Sequence, residues 1–256
     1  MSQQDRNIAS TFAKGMAVLA AFDGSASSLS LADISRVTGQ DRAAARRGAL
    51  TLEQLGYLKR SGRQFLLTPK VLALAGGFLR ANRFGSDVQP VLNQHAAVLG
   101  SEIALAVRDQ DRVLLIAQST VLRGPVSFGF TPGSHLPLLH TSLGRMLLAC
   151  EPEGLANGLA MSAPMPRHTE HALMDRQAIA ATVQNARTDG FCISDSEFEN
   201  GILGYAVPVN GPDQSAVVAG TTLPRGAAGG PGKDSVLQAL QLCASELRQN
   251  SALQTL

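Results

Sequence analysis

Residues 29–69 constrain the fold most tightly, because four backbone signals follow one another at short intervals. Ser30 precedes the stretch LADISRVT with Asp33 three residues on, the order of a weak capping box. Leu31, Ile34 and Val37 recur there at helical spacing. Thr38-Gly39-Gln40 makes a tight turn, Asp41 caps a further helix running to about Leu55, and Gly56 stops it. In YLKRSGRQFLLTP (57–69) two short apolar runs flank Arg60-Ser61-Gly62-Arg63, which reads as a β-hairpin with a basic tip. An earlier helix starts near Ser10, capped by Ser10 or Thr11, with Phe12, Met16, Leu19 and Ala20 as its apolar positions. Helix, helix, turn, helix, basic hairpin is the order of a winged helix-turn-helix, which residues 1–68 would form. PKVLALAGGFLRANRFG (69–85) reads as a linker helix with Pro69 at its first position.

The helix beginning DRAAARRGAL raises the question of what its arginines face. In 100° steps from Ala45, residues Gly48, Ala49, Leu52, Leu55 and Gly56 fall within about 80° and form the buried side. Ala43, Arg46, Arg47, Leu50 and Gln54 fall opposite, with Arg42 at the flank. A basic helix face ordinarily meets only water. Here it follows a helix and a turn and precedes a hairpin carrying Lys59, Arg60 and Arg63, which points to DNA. Arginine can fork onto guanine or neutralise phosphate, and the helix start places Gln40 and Asp41 within reach of bases or phosphates too. Ala43 leaves room for close approach. The chain's net charge of +2 hides a division: residues 1–85 carry 12 Lys/Arg against 5 Asp/Glu, and residues 86–256 carry 10 against 15. A basic first third beside an acidic remainder suggests two domains, the first suited to an anionic partner.

The remainder, 86–256, is mixed. DVQPVLNQHAAVLG (87–100), ALMDRQAIAATVQNARTDG (172–190) and KDSVLQALQLCASELRQN (233–250) have helical periodicity. EIALAVRD (102–109), RVLLIAQS (112–119), PVSFGF (125–130), FCISDSE (191–197), ILGYAVPVN (202–210) and SAVVAGTTLP (215–224) read as strands. LPLLHTSLGRMLLAC (136–150) runs from an extended piece into a helix capped near Thr141 or Ser142, and RGAAGGPG (225–232) reads as a loop. Helices flanking an antiparallel sheet make the class α+β. Three widely spaced cysteines without a CxxC pair indicate neither a disulfide framework nor zinc. No apolar run reaches transmembrane length and MSQQDRNIAS lacks a signal-peptide core, so a cytoplasmic protein is expected.

TFAKGMAVLAAFDG together with LSLADISRVTGQDRAAARRGALTLEQLGYLKRSGRQFLLTPKVLALA resembles the N-terminal domain of IclR-type bacterial transcription regulators. LPLLHTSLGRMLLA and ARTDGFCISDSEFENGILGYAVPV resemble that family's effector-binding domain, and the likeness covers residues 10 to about 250. TFAKG and RAAARR are most similar to the branch that regulates catabolism of aromatic acids such as protocatechuate and 4-hydroxybenzoate. The resemblance implies a GAF-like effector domain with an antiparallel sheet, double-stranded operator DNA and a small organic acid as partners, a homodimer or homotetramer, and no cofactor. It also implies an effector site with Thr141, Ser142 and Leu143 at a helix start, Ser194 and Asp195 beside it, Gly204 on a facing strand, and Thr221 and Leu223 on the last strand. Hydroxyls and N–H groups at a helix N-terminus suit a carboxylate. Arg145 is either a carboxylate partner or a structural residue pairing with Asp195 or Glu197. Gly48 and Ala49 replace bulky apolar residues of that branch, and mid-helix glycine costs about 1 kcal/mol of propensity.

Catalytic readings are weaker. GGPGKDS (229–235) misses two requirements of a phosphate loop, with Ala227 for the earlier glycine and Asp234 after Lys233. His168 and His171 lack a third metal ligand at suitable spacing. His135 and His140 suit packing or pocket-lining roles, and Cys192 reads as a buried strand residue. No catalytic residue is assigned. The alternative to a DNA-binding regulator is a small-molecule enzyme or non-DNA sensor with a vestigial helix-turn-helix, for which Gly48 is the best support.

Overall fold

The computed structural model describes residues 8–22, 26–120, 130–210, 215–226 and 230–254. The chain divides into two compact units, Met1–Ala81 and Asn82–Leu256.

The first unit runs α1 (Ser10–Ala20), β1 (Leu29–Ser30), α2 (Leu31–Thr38), α3 (Arg42–Gln54), β2 (Leu58–Ser61), β3 (Gln64–Leu67) and α4 (Val71–Ala81). The capping box is reciprocal: Asp33 N–H donates to Ser30 Oγ at 3.2 Å and Ser30 N–H donates to Asp33 Oδ2 at 3.1 Å. Gly39 closes α2 with φ 65°, a left-handed conformation natural to glycine. Asp41 caps α3 by accepting from Ala44 N–H at 2.8 Å. β2 and β3 pair antiparallel around Gly62-Arg63, with Gly62 (φ 60°) at the first central position, where a II′ turn requires it. β1 adds to β3, giving a three-stranded sheet beside the three helices.

Several local expectations need correction. α1 begins at Ser10 with Ala9 as an uncapped flank, so neither Ser10 nor Thr11 caps it. Its core face is Val18, with Ala21 just beyond, whereas Phe12 (70% exposed) and Met16 lie outside. Val37 and Leu55 are also exposed, because the small core is filled by Ile34, Ala45, Ala49, Leu52, Leu58 and Phe65. α4 begins two residues after Pro69.

Gly48 has a packing reason. A Cβ at this position would lie 3.0 Å from Val18 Cγ2 and 3.7 Å from the Cα of Gly15, so glycines on α1 and α3 face each other where the helices meet. Close approach offsets the propensity lost by glycine. Gly48→Leu should push the helices apart and cost roughly 1–3 kcal/mol. A lowered urea midpoint is the expected result, and an unchanged midpoint would contradict the close-approach account.

The second unit opens with a π-helical turn (Phe84–Val88) and α5 (Gln89–Leu99), where Pro90 is tolerated in the first turn. There follow β4 (Ile103–Asp109), β5 (Arg112–Gln118), β6 (His135–Pro137), α6 (Ser142–Cys150), α7 (Glu153–Ser162), α8 (Arg176–Asp189), β7 (Cys192–Asp195), β8 (Ile202–Pro208), β9 (Val217–Pro224), α9 (Lys233–Arg248) and α10 (Ser251–Gln254). Apart from Phe130, the expected strand 125–130 lies outside the described residues, as do 227–229 of the expected loop. The strands form one antiparallel sheet in the order β6-β5-β4-β9-β8-β7. Ala106, Ala206 and Val218 join residues of α6 and α8 in one core cluster. The alternate residues Leu105, Val207 and Ala219, equally buried, face the other way toward α5 and α9, which pair with each other. Helix, sheet, helix is therefore the layering, a GAF-like α+β arrangement.

Candidate DNA-binding face and effector cavity

On α3 the buried residues are Ala44, Ala45, Ala49 and Leu52. This leaves Arg42, Ala43, Arg46 and Arg47 exposed. Among the described residues, Arg42, Arg46, Arg47, Lys59 and Arg63 have no ion-pair partner. The structure treats the other expected contacts differently. Arg60 donates to Glu53 at 2.9 Å and lies 5.1 Å over the Phe65 ring, so it braces the hairpin against α3. Gln40 turns its amide to the Lys14 carbonyl of α1 at 3.0 Å. The Asp41 carboxylate is occupied at the helix cap, which holds its pKa below the ordinary range, with the nearby charges of Arg47 and Lys14 adding to the effect.

In the second unit a cavity, with about 100 Å³ of room for water-molecule centres, opens between the start of α6 and the sheet. Of the effector-site residues that the family resemblance implies, the lining brings together Thr141, Ser142, Leu143, Ser194, Gly204 and Thr221. Thr141 caps α6 by accepting from Gly144 N–H at 3.0 Å, and Ser142 N–H donates to Ser194 Oγ at 3.1 Å. That leaves Leu143 N–H as the first-turn donor without a hydrogen bond among the described residues. Gly204 keeps this corner open: a Cβ there would lie 2.7 Å from Ser194 Oγ and 2.8 Å from Ser142 Oγ.

Two expected residues are not in the lining. Asp195 alternates with Ser194 on β7, accepts from Ser196 Oγ at 2.8 Å and meets Arg225 at 3.4 Å. Leu223 lies beyond the lining residues Gly220, Thr221 and Thr222 of β9. Sequence reading missed the apolar wall of Ala104, Leu115, Phe130, Leu136, Phe198 and Ile202, and the polar groups of Glu102, Gln118, Glu197 and Glu199. Simple alternation does not flag these residues: Leu115 and Gln118 share a face only because the β4–β5 register shifts at Leu105/Ala106, and nothing local marks the others. Burial raises the Glu199 carboxyl above its ordinary pKa.

Arg145 is structural. Its guanidinium grips Glu197 with two bonds of 2.7 and 2.6 Å and donates to the Leu139 carbonyl at 2.8 Å. The remaining histidine and cysteine candidates do not converge. His140 is fully buried against the Leu173 carbonyl, which its Nε2 meets at 3.0 Å, and burial lowers its pKa below 6.5. His168 packs edge-on against His140 and Phe198, away from His171 beside Glu170. His135 meets Asp109 on the neighbouring hairpin at 2.9 Å. Burial pushes the Cys192 thiol up to about 11, leaving it protonated at neutral pH and a poor nucleophile.

A winged helix-turn-helix with a basic outer helix face, joined in one chain to a sensor-type domain enclosing a small cavity, defines a ligand-responsive DNA-binding transcriptional regulator. Comparison with known proteins supplies the family. Residues 82–249 match the profile described as bacterial transcriptional regulator IclR C-terminal, and residues 11–62 match the IclR helix-turn-helix domain. The chain belongs to the IclR family. It is 33% identical over 205 residues to the Pca regulon regulatory protein of Pseudomonas putida, covering 80% of this chain and 70% of that one. It is 30% identical over 201 residues to the p-hydroxybenzoate hydroxylase transcriptional activator of Acinetobacter baylyi, covering 77% and 74%. A solved regulator from Rhodococcus sp. RHA1 superposes with TM-score 0.73 at 28% identity, over 97% of this chain and 99% of that one. An IclR homologue of Microbacterium hydrocarbonoxydans, solved with 4-hydroxybenzoate, gives 0.71 at 20% identity over 96% and 100%, a likeness of fold. Among the described residues no helix is long and apolar enough to cross a membrane.

Proposed function

We propose that this regulator binds double-stranded operator DNA as a homodimer or tetramer of cytoplasmic chains and releases or rearranges on it when a small organic acid, aromatic in the first instance, fills the cavity. The cluster of exposed cations on α3 and the hairpin, Arg42, Arg46, Arg47, Lys59 and Arg63, which have no ion-pair partner among the described residues, carries the DNA-binding part. Residues 1–68 act as the DNA-binding domain, 69–85 as the linker and 86–256 as the effector domain. α3 enters the major groove, where Arg46 and Arg47 meet base edges or phosphates, Arg42 meets phosphate from the flank, and Lys59 and Arg63 contact the backbone from the wing. Leu72 and Leu74 on α4, both exposed in the single chain, favour packing against a second copy. The Leu143 N–H and the hydroxyls of Ser142 and Ser194 suit a carboxylate at the positive end of α6. The names of the relatives, regulators of the pca genes and of p-hydroxybenzoate hydroxylase, favour an aromatic acid. The chain acts by binding: its effector shifts a conformational equilibrium through unequal affinity for two states.

The test is a salt titration of binding to the promoter upstream of its own gene and to random DNA. Promoter-specific affinity that falls steeply with salt, by roughly the number of neutralised phosphates on a log–log plot, is expected. No preference over random DNA would favour the enzyme or non-DNA sensor. That rival has lost its main support, since Gly48 is a helix-contact residue rather than a sign of decay.

A further inference from the structure

The cavity has two chemically different ends, and the sheet register shows how they are spaced. Ser194 pairs with Gly204, and Gly204 pairs with Thr222. Ile103 pairs with Thr221, so the next step of the same ladder sets Glu102 level with Thr222. Ser194, Gly204, Thr222 and Glu102 therefore form one row across β7, β8, β9 and the start of β4, and all four line the cavity. Residues directly opposite in antiparallel strands share a face. The row begins under the N-terminus of α6, where Ser142 Oγ and Ser194 Oγ crowd the bare Cα of Gly204. It ends at a carboxylate two strand spacings from Gly204, about 10 Å away.

Glu102 is fixed in that position. Its Oε2 accepts from Gln118 Nε2 at 2.8 Å, and its backbone carbonyl accepts from Thr221 Oγ1 at 2.6 Å. A carboxylate can only accept hydrogen bonds, so a ligand group placed against Glu102 must donate. Resting on the reading of this cavity as the effector site, we infer that Glu102, oriented by Gln118, selects effectors bearing a hydroxyl or amino group at the end opposite their carboxylate. The carboxylate lies at the start of α6, the ring between the strands and the wall that includes Phe130 and Phe198, and the donor at Glu102. A ligand with no donor leaves a desolvated carboxylate oxygen unpaired. This kind of mismatch discriminates more strongly than a missing apolar contact.

The experiment is calorimetric titration of the full-length protein with benzoate, 4-methoxybenzoate, 4-hydroxybenzoate and 4-aminobenzoate, repeated on Glu102→Gln. The wild type should bind the hydroxy and amino acids at least tenfold more tightly than the other two. Glu102→Gln, whose amide can both donate and accept, should bring 4-methoxybenzoate within about threefold of 4-hydroxybenzoate. Equal affinity of the wild type for all four, or an unchanged ratio in Glu102→Gln, overturns the assignment of Glu102 while leaving the acid-effector reading in place. Binding of none of the four overturns that reading and this inference with it.

Discussion

Replacing Arg46 and Arg47 together by alanine is expected to abolish specific operator binding and leave the fold intact. Both side chains are exposed on α3, and neither has an ion-pair partner among the described residues, so the only internal interaction lost is the weak attraction of Arg47 for the capping Asp41. Alanine is also the better helix former, so the helix should lose nothing. The loss falls on the DNA. A well-placed arginine contact contributes about 1–3 kcal/mol, so two removed together cost roughly 2–6 kcal/mol. This corresponds to a fall in affinity of about thirtyfold to twenty-thousandfold. If the pair meets phosphates, the salt dependence should also flatten by about two counterions. A gel-shift titration at fixed salt reads the affinity, and a thermal melt by circular dichroism confirms the fold. Undiminished binding by a folded double variant would remove the outward face of α3 from the interface. Arg60→Ala makes the useful contrast: its guanidinium is already engaged by Glu53 and Phe65, so a smaller effect is expected, exerted through the position of the hairpin.

The first unit was legible because its signals are local. Capping by Ser30 and Asp41, the left-handed Gly39 and the glycine turn at the hairpin tip each act over three or four residues, and the structure places all of them as the sequence indicates. Which apolar residues would be buried was less legible. Helical spacing marks Phe12, Met16, Val37 and Leu55 as apolar positions, but a core this small has room only for the residues nearest the helix crossings. Gly48 is the sharpest case: within its own helix it weakens the structure, and only its approach to Gly15 and Val18 explains it. In the second unit α7 went unread. Its sequence EGLANGLAMS contains two glycines and has no side-chain cap, and its helix is held by packing on α6 and α8. The cavity was half legible for a related reason. The α6 cap and Ser194 belong to readable motifs, whereas Glu102 enters through its place opposite the distant Thr222 and Gln118 through the irregular register of the β4–β5 hairpin.

The largest loss of stability is expected from Arg145→Ala. The Arg145 side chain is 2% exposed and that of Glu197 11%, and the two are joined by parallel bonds of 2.7 and 2.6 Å. The pair links α6 to the segment after β7, while the same guanidinium holds the Leu139 carbonyl and the same carboxylate accepts from Leu173 N–H at 3.1 Å. Removing the cation leaves the Glu197 carboxylate with the Leu173 N–H as its one remaining hydrogen bond among those described. An uncompensated buried charge of this kind costs about 3–5 kcal/mol, far more than the intact pair contributes relative to an apolar substitute. The asymmetry gives the prediction its test. Arg145→Met combined with Glu197→Met, which removes both charges and keeps most of the volume, should be less destabilised than Arg145→Ala alone. Urea denaturation of the three proteins measures this ordering. If Arg145→Ala lost less than about 1 kcal/mol, the range of an exposed ion pair, Arg145 would instead have to be free to move toward a ligand.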